Sequence, residues 1–343
     1  MKEIKQNSPH AWLLAARPKT LTGAIIPVMI GTSLAFADGQ FKIVPALLCM
    51  LFACGMQIAA NFINDLFDFL KGTDRTDRLG PERACAQGWI TPGAMKVGIG
   101  VIVILSCISG LGLLYTSWGE LPHGGWELIV LGVFCVIFAF LYTTVLSYQG
   151  WGDLLVLIFF GFVPVGGTYY VQAYTFTPNV IIASLISGLV IDTLLVVNNY
   201  RDRDQDALSG KRTLIVRFGE PFGRYLYLWL GIIATLLSFW FAQGWNYAGI
   251  FMPFTYLYFH DCIRQAFRRS FQPDGSCLAR VLYDRHCFSV ESVAFRFLKA
   301  DGIILISVIC PGDKAVPLNR KAKQVVGIRH QVSVFVLYFH GHE

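Results

Sequence analysis

Long apolar runs separated by short polar gaps recur along the chain from about residue 20 to residue 262. Each run has about 20 residues, the length that a helix needs to cross the hydrocarbon core of a bilayer. The pattern predicts an all-α fold, a polytopic membrane helical bundle with eight spans. The predicted spans lie at about 20–37, 43–64, 96–116, 127–146, 153–173, 179–199, 222–242 and 246–263.

The last part of the chain follows a different pattern, with Arg, Lys, Asp and His scattered throughout residues 271–343. The only apolar run there, Gly302–Cys310, is too short to cross a membrane as a helix. We therefore expect a membrane domain over residues 1–270 and an atypical C-terminal tail over residues 271–343.

Composition and charge agree with a membrane protein. Of the 343 residues, 55% are hydrophobic and only 15% are charged, against about 25% charged in soluble domains. Lys and Arg are concentrated in the loops at 65–95 and 200–221, whereas the loops at 117–126 and 174–178 contain neither. This alternation predicts that the Lys/Arg-rich loops are cytoplasmic. It also accounts for the net charge of +6, so no nucleic-acid partner is expected.

Two acidic clusters directly follow apolar runs. Carboxylates are costly at the edge of a hydrocarbon layer, so a cluster there is a functional-site hypothesis by default. The members that carry the chemistry are Asn61, Asn64, Asp65 and Asp68 in the first cluster, and Asn199, Asp202 and Asp206 in the second.

The spacing within each cluster brings oxygen ligands together. Asn61, Asp65 and Asp68 are four and three residues apart, so they share a face on a continuing helix, and Asp202 and Asp206 are also four apart. Carboxylate and amide oxygens are hard ligands that suit Mg²⁺, which proteins usually hold together with substrate phosphates. Two such helix ends predict one site for a metal-bound diphosphate.

Basic residues interleaved with the acids complete this site. They would neutralise phosphate oxygens and stabilise the charge that develops on a departing diphosphate. A diphosphate site embedded in a membrane points to a polyprenyl donor, and its allylic cation needs a dry, aromatic-rich pocket. An isolated loop acid such as Asp204 is equally well explained as a solvated charge. The candidate basic residues are Lys71, Arg75, Arg78, Arg83, Lys211 and Arg212.

At these residues the chain resembles the UbiA superfamily of intramembrane prenyltransferases. The likeness covers about residues 10–270 and is strongest toward the branch that prenylates 1,4-dihydroxy-2-naphthoate. Its motifs occur in the family's order at the ends of the second and sixth spans. The stretches that carry the resemblance are Ala16–Thr22, Asn64–Asp74, Gly150–Asp153 and Asn198–Asp206 running into Gly210–Thr213.

The resemblance implies about nine spans around a central cavity, although a ninth is not evident in the sequence. It implies that Mg²⁺ is held by the seven Asn and Asp residues of the two clusters, with catalysis resting on Asp65, Asp68, Asp202 and Asp206. The family commonly has an acid four residues after Asp68, where this chain has Gly72, so the part played by Asp74 stays open. The implied substrate contacts are Lys71, Arg83, Lys211 and Arg212 to the diphosphate and Arg17 to the aromatic acceptor.

The implied reaction is electrophilic aromatic substitution in the plasma (inner) membrane, with the active-site loops on the cytoplasmic side. A polyprenyl diphosphate loses diphosphate, and the prenyl group joins the ring of 1,4-dihydroxy-2-naphthoate as CO₂ leaves. The product would be demethylmenaquinone, and the lipid bilayer would surround the enzyme.

Other interpretations remain open. The acceptor could be hydroxybenzoate, homogentisate, haem or a lipid, and the chain could be a membrane transporter or a non-catalytic scaffold. The family likeness ends after Leu278–Leu282, so the residues after about 282 would be a shifted reading frame, a divergent fusion or a native cytoplasmic tail.

Overall fold

The computed structural model describes residues 4–72 and 82–241, together with the backbone of three strands further along the chain. The chain divides into two compact units, Met1–Leu237 and Ser238–Glu343. The predicted boundary near residue 270 lies outside the described residues.

The first unit is helical throughout its described part, apart from turns and connecting loops. Short 3₁₀ turns at Pro18–Leu21 and Leu146–Gln149 connect some of the helices, and Leu157–Gly166 is a π-helix. The α-helices are α1 Pro9–Ala16, α2 Thr22–Ala37, α3 Ile43–Leu70, α4 Pro92–Thr116, α5 Trp126–Thr144, α6 Gly152–Val156, α7 Gly167–Ala173, α8 Pro178–Leu208, α9 Leu214–Phe218 and α10 Glu220–Ser238.

Seven helical segments of the described chain are long and apolar enough to cross a membrane. They confirm the membrane helical bundle and correspond to the first seven predicted spans, while the eighth, 246–263, lies outside the described residues. Large apolar side chains such as Ile104 and Leu111 on α4 and Val130 on α5 are exposed, as expected where a helix faces lipid. The segments are Pro9–Ala37, Ile43–Leu70, Pro92–Thr116, Trp126–Thr144, Gly152–Ala173, Pro178–Leu208 and Glu220–Phe241.

Helices α3 and α8 continue beyond the ends predicted from hydropathy. The predicted spans stop at 64 and 199, whereas α3 reaches Leu70 and α8 reaches Leu208. With 28 and 31 residues, they are about 42 and 46 Å long. The hydrocarbon core is only about 30 Å thick. Each helix therefore carries its acidic cluster past the apolar layer without a break.

A hydrophobic cluster fixes the surroundings of the first acidic helix end. Phe62, Ile63 and Leu66 of α3 pack with Ile90 and Met95, and α1 joins the same cluster. Burial of these side chains anchors the N-terminal segment and the segment before α4 against the end of α3.

The fifth span changes its helix type along its length. It begins as α6 and continues as the π-helix, a rare form that often marks functional sites. The Ser187 hydroxyl on α8 donates a hydrogen bond to the carbonyl oxygen of Phe160, over 2.8 Å. A Cβ placed on Gly188 would lie 3.0 Å from the Cα of Leu157, so glycine allows α8 to pack closely here.

The second unit contains a three-stranded antiparallel sheet formed by β1 Ala294–Ala300, β2 Ile303–Cys310 and β3 Gln331–Tyr338. Strand β2 is central, with Ala294 paired with Ile309 and Ile303 paired with Tyr338. No strands were predicted from the sequence. Within the short apolar run at 302–310, Ile303–Cys310 forms β2, which agrees with the run being too short to span and with its β-branched composition.

Candidate active site

Asn61 ties the first acidic cluster to the N-terminal segment. The residue is buried in α3, and its amide nitrogen donates hydrogen bonds to the carbonyl oxygen of Ala16 and to the hydroxyl oxygen of Thr20, each over 2.9 Å. Arg17 lies between these two partners with a φ of +52°. The structure therefore places Arg17, the predicted acceptor contact, directly beside the first cluster.

Asp65 is the most deeply buried acid of the first cluster, at 1% exposed. Its two carboxylate oxygens accept hydrogen bonds from the backbone N–H groups of Ala84 and Cys85, over 2.8 and 2.9 Å. These bonds hold the segment after residue 82 against α3. A carboxylate offers about four lone-pair sites, so this arrangement leaves capacity for a cation.

Asp68 pairs with Arg83. Its Oδ2 atom lies 2.8 Å from Nη2 of Arg83, and both side chains are buried. Arg83, predicted to bind diphosphate, thus neutralises an acid of the first cluster in this structure. The neighbouring Asn64 accepts a hydrogen bond over 2.7 Å from the hydroxyl of Thr143 on α5, so its amide oxygen faces that helix.

The second acidic cluster lies on the last turns of α8. Both carboxylate oxygens of Asp202 accept hydrogen bonds from the guanidinium of Arg201, each over 2.7 Å. Asp206 is buried and lies 3.7 Å from the ammonium of Lys211. Asn199 is half-buried one turn before Asp202, and the side chain of Arg212 is exposed.

Tyr148 brings the basic residues of the two clusters together. The Lys71 ammonium lies 3.9 Å from the centroid of the Tyr148 ring and that of Lys211 lies 5.4 Å from it. Two further hydrogen bonds fix the arrangement, one of 3.0 Å from Lys71 Nζ to the carbonyl of Thr144 and one of 2.9 Å from the Arg212 N–H to the carbonyl of Tyr148. Two lysines far apart in sequence therefore meet at one ring between the acidic helix ends.

The surroundings of Lys71 weaken its hold on a proton. Burial lowers the pKa of its ammonium, attraction to Asp68 raises it, and repulsion by Lys211 lowers it further. The net direction of the pKa is downward, because burial is the largest of these effects and repulsion by Lys211 adds to it. An incoming anion would relieve this repulsion.

The residues that lie between the two clusters were not identified from the sequence. The phenol of Tyr142 lies within electrostatic range of Asp68 and Asp206, the acids of the two helix ends. It also interacts with Asp153 and Asp192. Asp192 lies inside the sixth predicted span, and a carboxylate within an apolar run is a signal that could have identified it.

The oxygen-rich character of the site fits Mg²⁺. Its donors are carboxylate and amide oxygens on two helix ends, the ligand type that this ion prefers. Within residues 4–72 and 82–241, no group of three or more His, Cys, Asp or Glu side chains is already assembled around one point. Metal binding at Asp68 and Asp202 would therefore rearrange their bonds with Arg83 and Arg201.

A helical membrane bundle with two acidic helix ends and converging lysines defines a class of membrane prenyltransferases. Residues 24–276 match the model of the UbiA prenyltransferase family, and the chain belongs to this family. It is a multi-pass membrane prenyltransferase.

Three curated relatives share a name. The 1,4-dihydroxy-2-naphthoate octaprenyltransferase of Escherichia coli K12 is 38% identical over 244 residues, covering 70% of this chain and 79% of the relative. Those of Haemophilus influenzae and Mycobacterium tuberculosis are 36% and 35% identical, each covering 70% of this chain and 80% and 81% of the relative.

A solved structure supports the fold. A UbiA homologue from Archaeoglobus fulgidus, bound to GPP and Mg²⁺, superposes with a TM-score of 0.55 at 15% identity. The match covers 75% of this chain and 88% of the archaeal chain. At that identity the likeness concerns the fold.

Proposed function

We propose that this chain transfers a polyprenyl group from a polyprenyl diphosphate to 1,4-dihydroxy-2-naphthoate. Diphosphate and CO₂ are released, and demethylmenaquinone forms in its reduced, quinol state, because no oxidant takes part. The observation that carries the proposal is the meeting of Lys71 and Lys211 at Tyr148, between the acidic ends of α3 and α8. Naphthoate-prenylating relatives at 35–38% identity support the choice of acceptor.

The diphosphate of the donor lies between the two helix ends in this proposal. Asp68, Asp202 and Asp206 would hold Mg²⁺, and the remaining members of the two clusters, Asn61, Asn64, Asp65 and Asn199, would complete or orient its surroundings. When bound, Mg²⁺ supplies positive charge that stabilises a departing diphosphate.

The lysines act on the same leaving group. The ammonium groups of Lys71 and Lys211 face the diphosphate from opposite clusters, and Arg212 reaches it from the adjoining loop. Fixed positive charge stabilises the diphosphate as its bond to the prenyl carbon breaks. Arg83, which pairs with Asp68, would add its positive charge to the same region.

An aromatic cluster offers a dry path for the prenyl chain. The ring centroids of Phe134 and Phe138 on α5 lie 5.4 and 5.6 Å from that of Phe159 on the π-helix. Phe138 is one helical turn before Tyr142, so these aromatic rings begin next to the tyrosine that lies between the two acidic clusters. We assign the prenyl tail to this region, where aromatic faces also stabilise an allylic cation and keep water away.

The site faces the cytoplasm in this proposal. The loops after α3 and α8 carry the Lys and Arg residues, and such loops remain on the cytoplasmic side. The enzyme then lies in the plasma (inner) membrane. This placement gives it direct access to a lipid-soluble donor and to an acidic aromatic acceptor from the cytoplasm.

A transfer assay tests the function. Membranes containing this chain are incubated with labelled polyprenyl diphosphate and 1,4-dihydroxy-2-naphthoate, with and without Mg²⁺. We expect Mg²⁺-dependent transfer of label together with release of diphosphate. Asp202→Ala should abolish both, whereas Asp204→Ala should retain them because the Asp204 side chain is 84% exposed.

The other interpretations predict different results in the same assay. Label on hydroxybenzoate or homogentisate but not on the naphthoate would contradict the acceptor assignment. It would still support prenyltransferase activity. A transporter or a scaffold would release no diphosphate with any acceptor.

A further inference from the structure

A carboxyl group lies buried in the membrane-spanning part of α8. Asp192 is 4% exposed, and its Oδ1 atom has no hydrogen-bond partner among residues 4–72 and 82–241. Burial of a polar atom without a partner is costly. Such an atom is a candidate for binding a ligand, because a ligand that supplies a donor would remove the cost.

The neighbours of Asp192 show which way it faces. Gly188, four residues earlier, contacts Leu157, and Leu195, three residues later, contacts the position of Gly152. Residues three and four apart share one face of a helix. Asp192 therefore lies on the face of α8 that packs against α6 and the π-helix.

Two polar groups share this region. The carboxyl of Asp153 at the start of α6 lies within electrostatic range of Asp192. The phenol of Tyr142 interacts with both acids, and its oxygen lies 3.9 Å from where a Cβ of Gly152 would be. Polar side chains from three helical elements therefore lie within electrostatic range of one another in this part of the bundle.

Tyr142 joins this region to the diphosphate site. Its phenol also interacts with Asp68 and Asp206, the acids of the two helix ends. Asp192 precedes Asp206 by 14 residues on one continuous helix, which places it about 21 Å further along the helix axis. Asp192 therefore lies deeper in the bundle than the acidic end of α8.

The chemistry of the substrates decides which of them Asp192 would bind. A polyprenyl diphosphate offers a hydrocarbon chain and phosphate oxygens, which give no O–H donor to a buried carboxylate when ionised. A dihydroxylated aromatic acceptor offers two ring hydroxyls, each a hydrogen-bond donor. We infer that Asp192, with Tyr142 and Asp153, forms an acceptor subsite in which the Asp192 carboxylate accepts a hydrogen bond from a ring hydroxyl. This inference rests on the proposed function.

The subsite would orient the ring and enrich it in electrons. The C–O bond between the prenyl group and diphosphate breaks, its electron pair leaves with diphosphate, and a ring carbon bonds to the prenyl carbon. The bond from that ring carbon to the carboxylate then breaks, its electron pair returns to the ring, and CO₂ leaves. The hydroxyl keeps its proton, so Asp192 acts as a positioning residue.

The test combines variants with acceptor analogues. The kcat/KM for wild type and Asp192→Leu is measured with 1,4-dihydroxy-2-naphthoate and with its two monohydroxy analogues. We expect Asp192→Leu to lower kcat/KM at least tenfold for every acceptor that carries the bonded hydroxyl. The loss should be under threefold for the analogue without it, and the KM for the prenyl diphosphate should stay unchanged. Equal losses with all three acceptors, or none, would overturn the inference.

Further variants separate binding from folding. Asp192→Asn is nearly isosteric and retains an oxygen that accepts a hydrogen bond, so we expect a smaller loss with the same acceptor pattern. Asp38→Asn is the matched control, since Asp38 already accepts a hydrogen bond over 2.6 Å from Tyr169, and it should leave kcat/KM unchanged. If Asp192→Leu does not fold, the acceptor pattern of Asp192→Asn decides, and a uniform effect overturns the inference.

The same experiment separates the two proposals. A wild type that transfers label to no naphthoate overturns the proposed function. A wild type that transfers normally, with Asp192 variants that do not distinguish the acceptors, overturns the subsite alone.

Discussion

Arg83 donates a hydrogen bond to Asp68 over 2.8 Å, and both side chains are more than nine-tenths buried. Removing one partner of a buried ion pair leaves an uncompensated charge and costs about 3–5 kcal/mol. Arg83→Ala should therefore lower the unfolding temperature in detergent markedly. The double variant Arg83→Met with Asp68→Leu should recover much of the loss. A stable Arg83→Ala protein would show that the pair contributes little.

Asp65 belongs to the first acidic cluster, and it also binds the backbone of the segment that contains Ala84 and Cys85. In Asp65→Ala, the N–H groups of Ala84 and Cys85 lose their acceptors, each at a cost of about 1–3 kcal/mol. We expect turnover to disappear while membrane insertion persists. Limited proteolysis should show faster cleavage between residues 82 and 90. Full activity with unchanged cleavage would remove both assignments.

The ring of Tyr148, rather than its hydroxyl, should position the two lysines. Tyr148→Leu removes the aromatic face that Lys71 and Lys211 contact, and we expect the KM for prenyl diphosphate to rise about tenfold, the effect of losing about 1.4 kcal/mol of cation–π energy. Tyr148→Phe keeps the face and should remain within twofold of wild type. Steady-state kinetics at saturating acceptor measure both, and equal losses in the two variants would favour the hydroxyl.

The lowered pKa of Lys71 gives a pH dependence with a definite sign. Lysine binds diphosphate only when protonated, and burial with repulsion from Lys211 lowers its pKa. As pH rises, kcat/KM for the donor should begin to fall at a lower pH than it would if Lys71 had the ordinary pKa of a lysine. Lys71→Arg stays charged, so it should move this alkaline limb to higher pH. An unchanged limb in Lys71→Arg would assign the titration to another group.

The sequence predicted the fold well because its signal is local. Seven spans follow from the length of the apolar runs. Hydropathy ended two of them at 64 and 199, whereas the spacing within the acidic clusters indicated that the helices continue, and α3 and α8 do extend past Asp68 and Asp206. A hydropathy profile does not show that the helix continues, because a polar stretch of helix whose side chains bond to other segments resembles a loop in sequence.

The site was predicted less completely, because its connections are between distant segments. Spacing identified the acids and lysines, but not Tyr148, which lies in a short uncharged 3₁₀ turn and contributes through its contacts with Lys71 and Lys211. Spacing likewise gave no sign that backbone N–H groups would satisfy Asp65. The pairing of β2 with β3 was also not predicted, since it joins residues that are distant in sequence, such as Cys310 and Gln331.

The central claim is that the two acidic helix ends form one site for a metal-bound polyprenyl diphosphate. Its most direct test is binding of labelled polyprenyl diphosphate to the purified chain across a Mg²⁺ titration, with Asp202→Ala and Asp204→Ala in parallel. We predict Mg²⁺-dependent binding to wild type and Asp204→Ala, and its loss in Asp202→Ala. Binding that is independent of Mg²⁺ and equal in all three proteins would contradict the account.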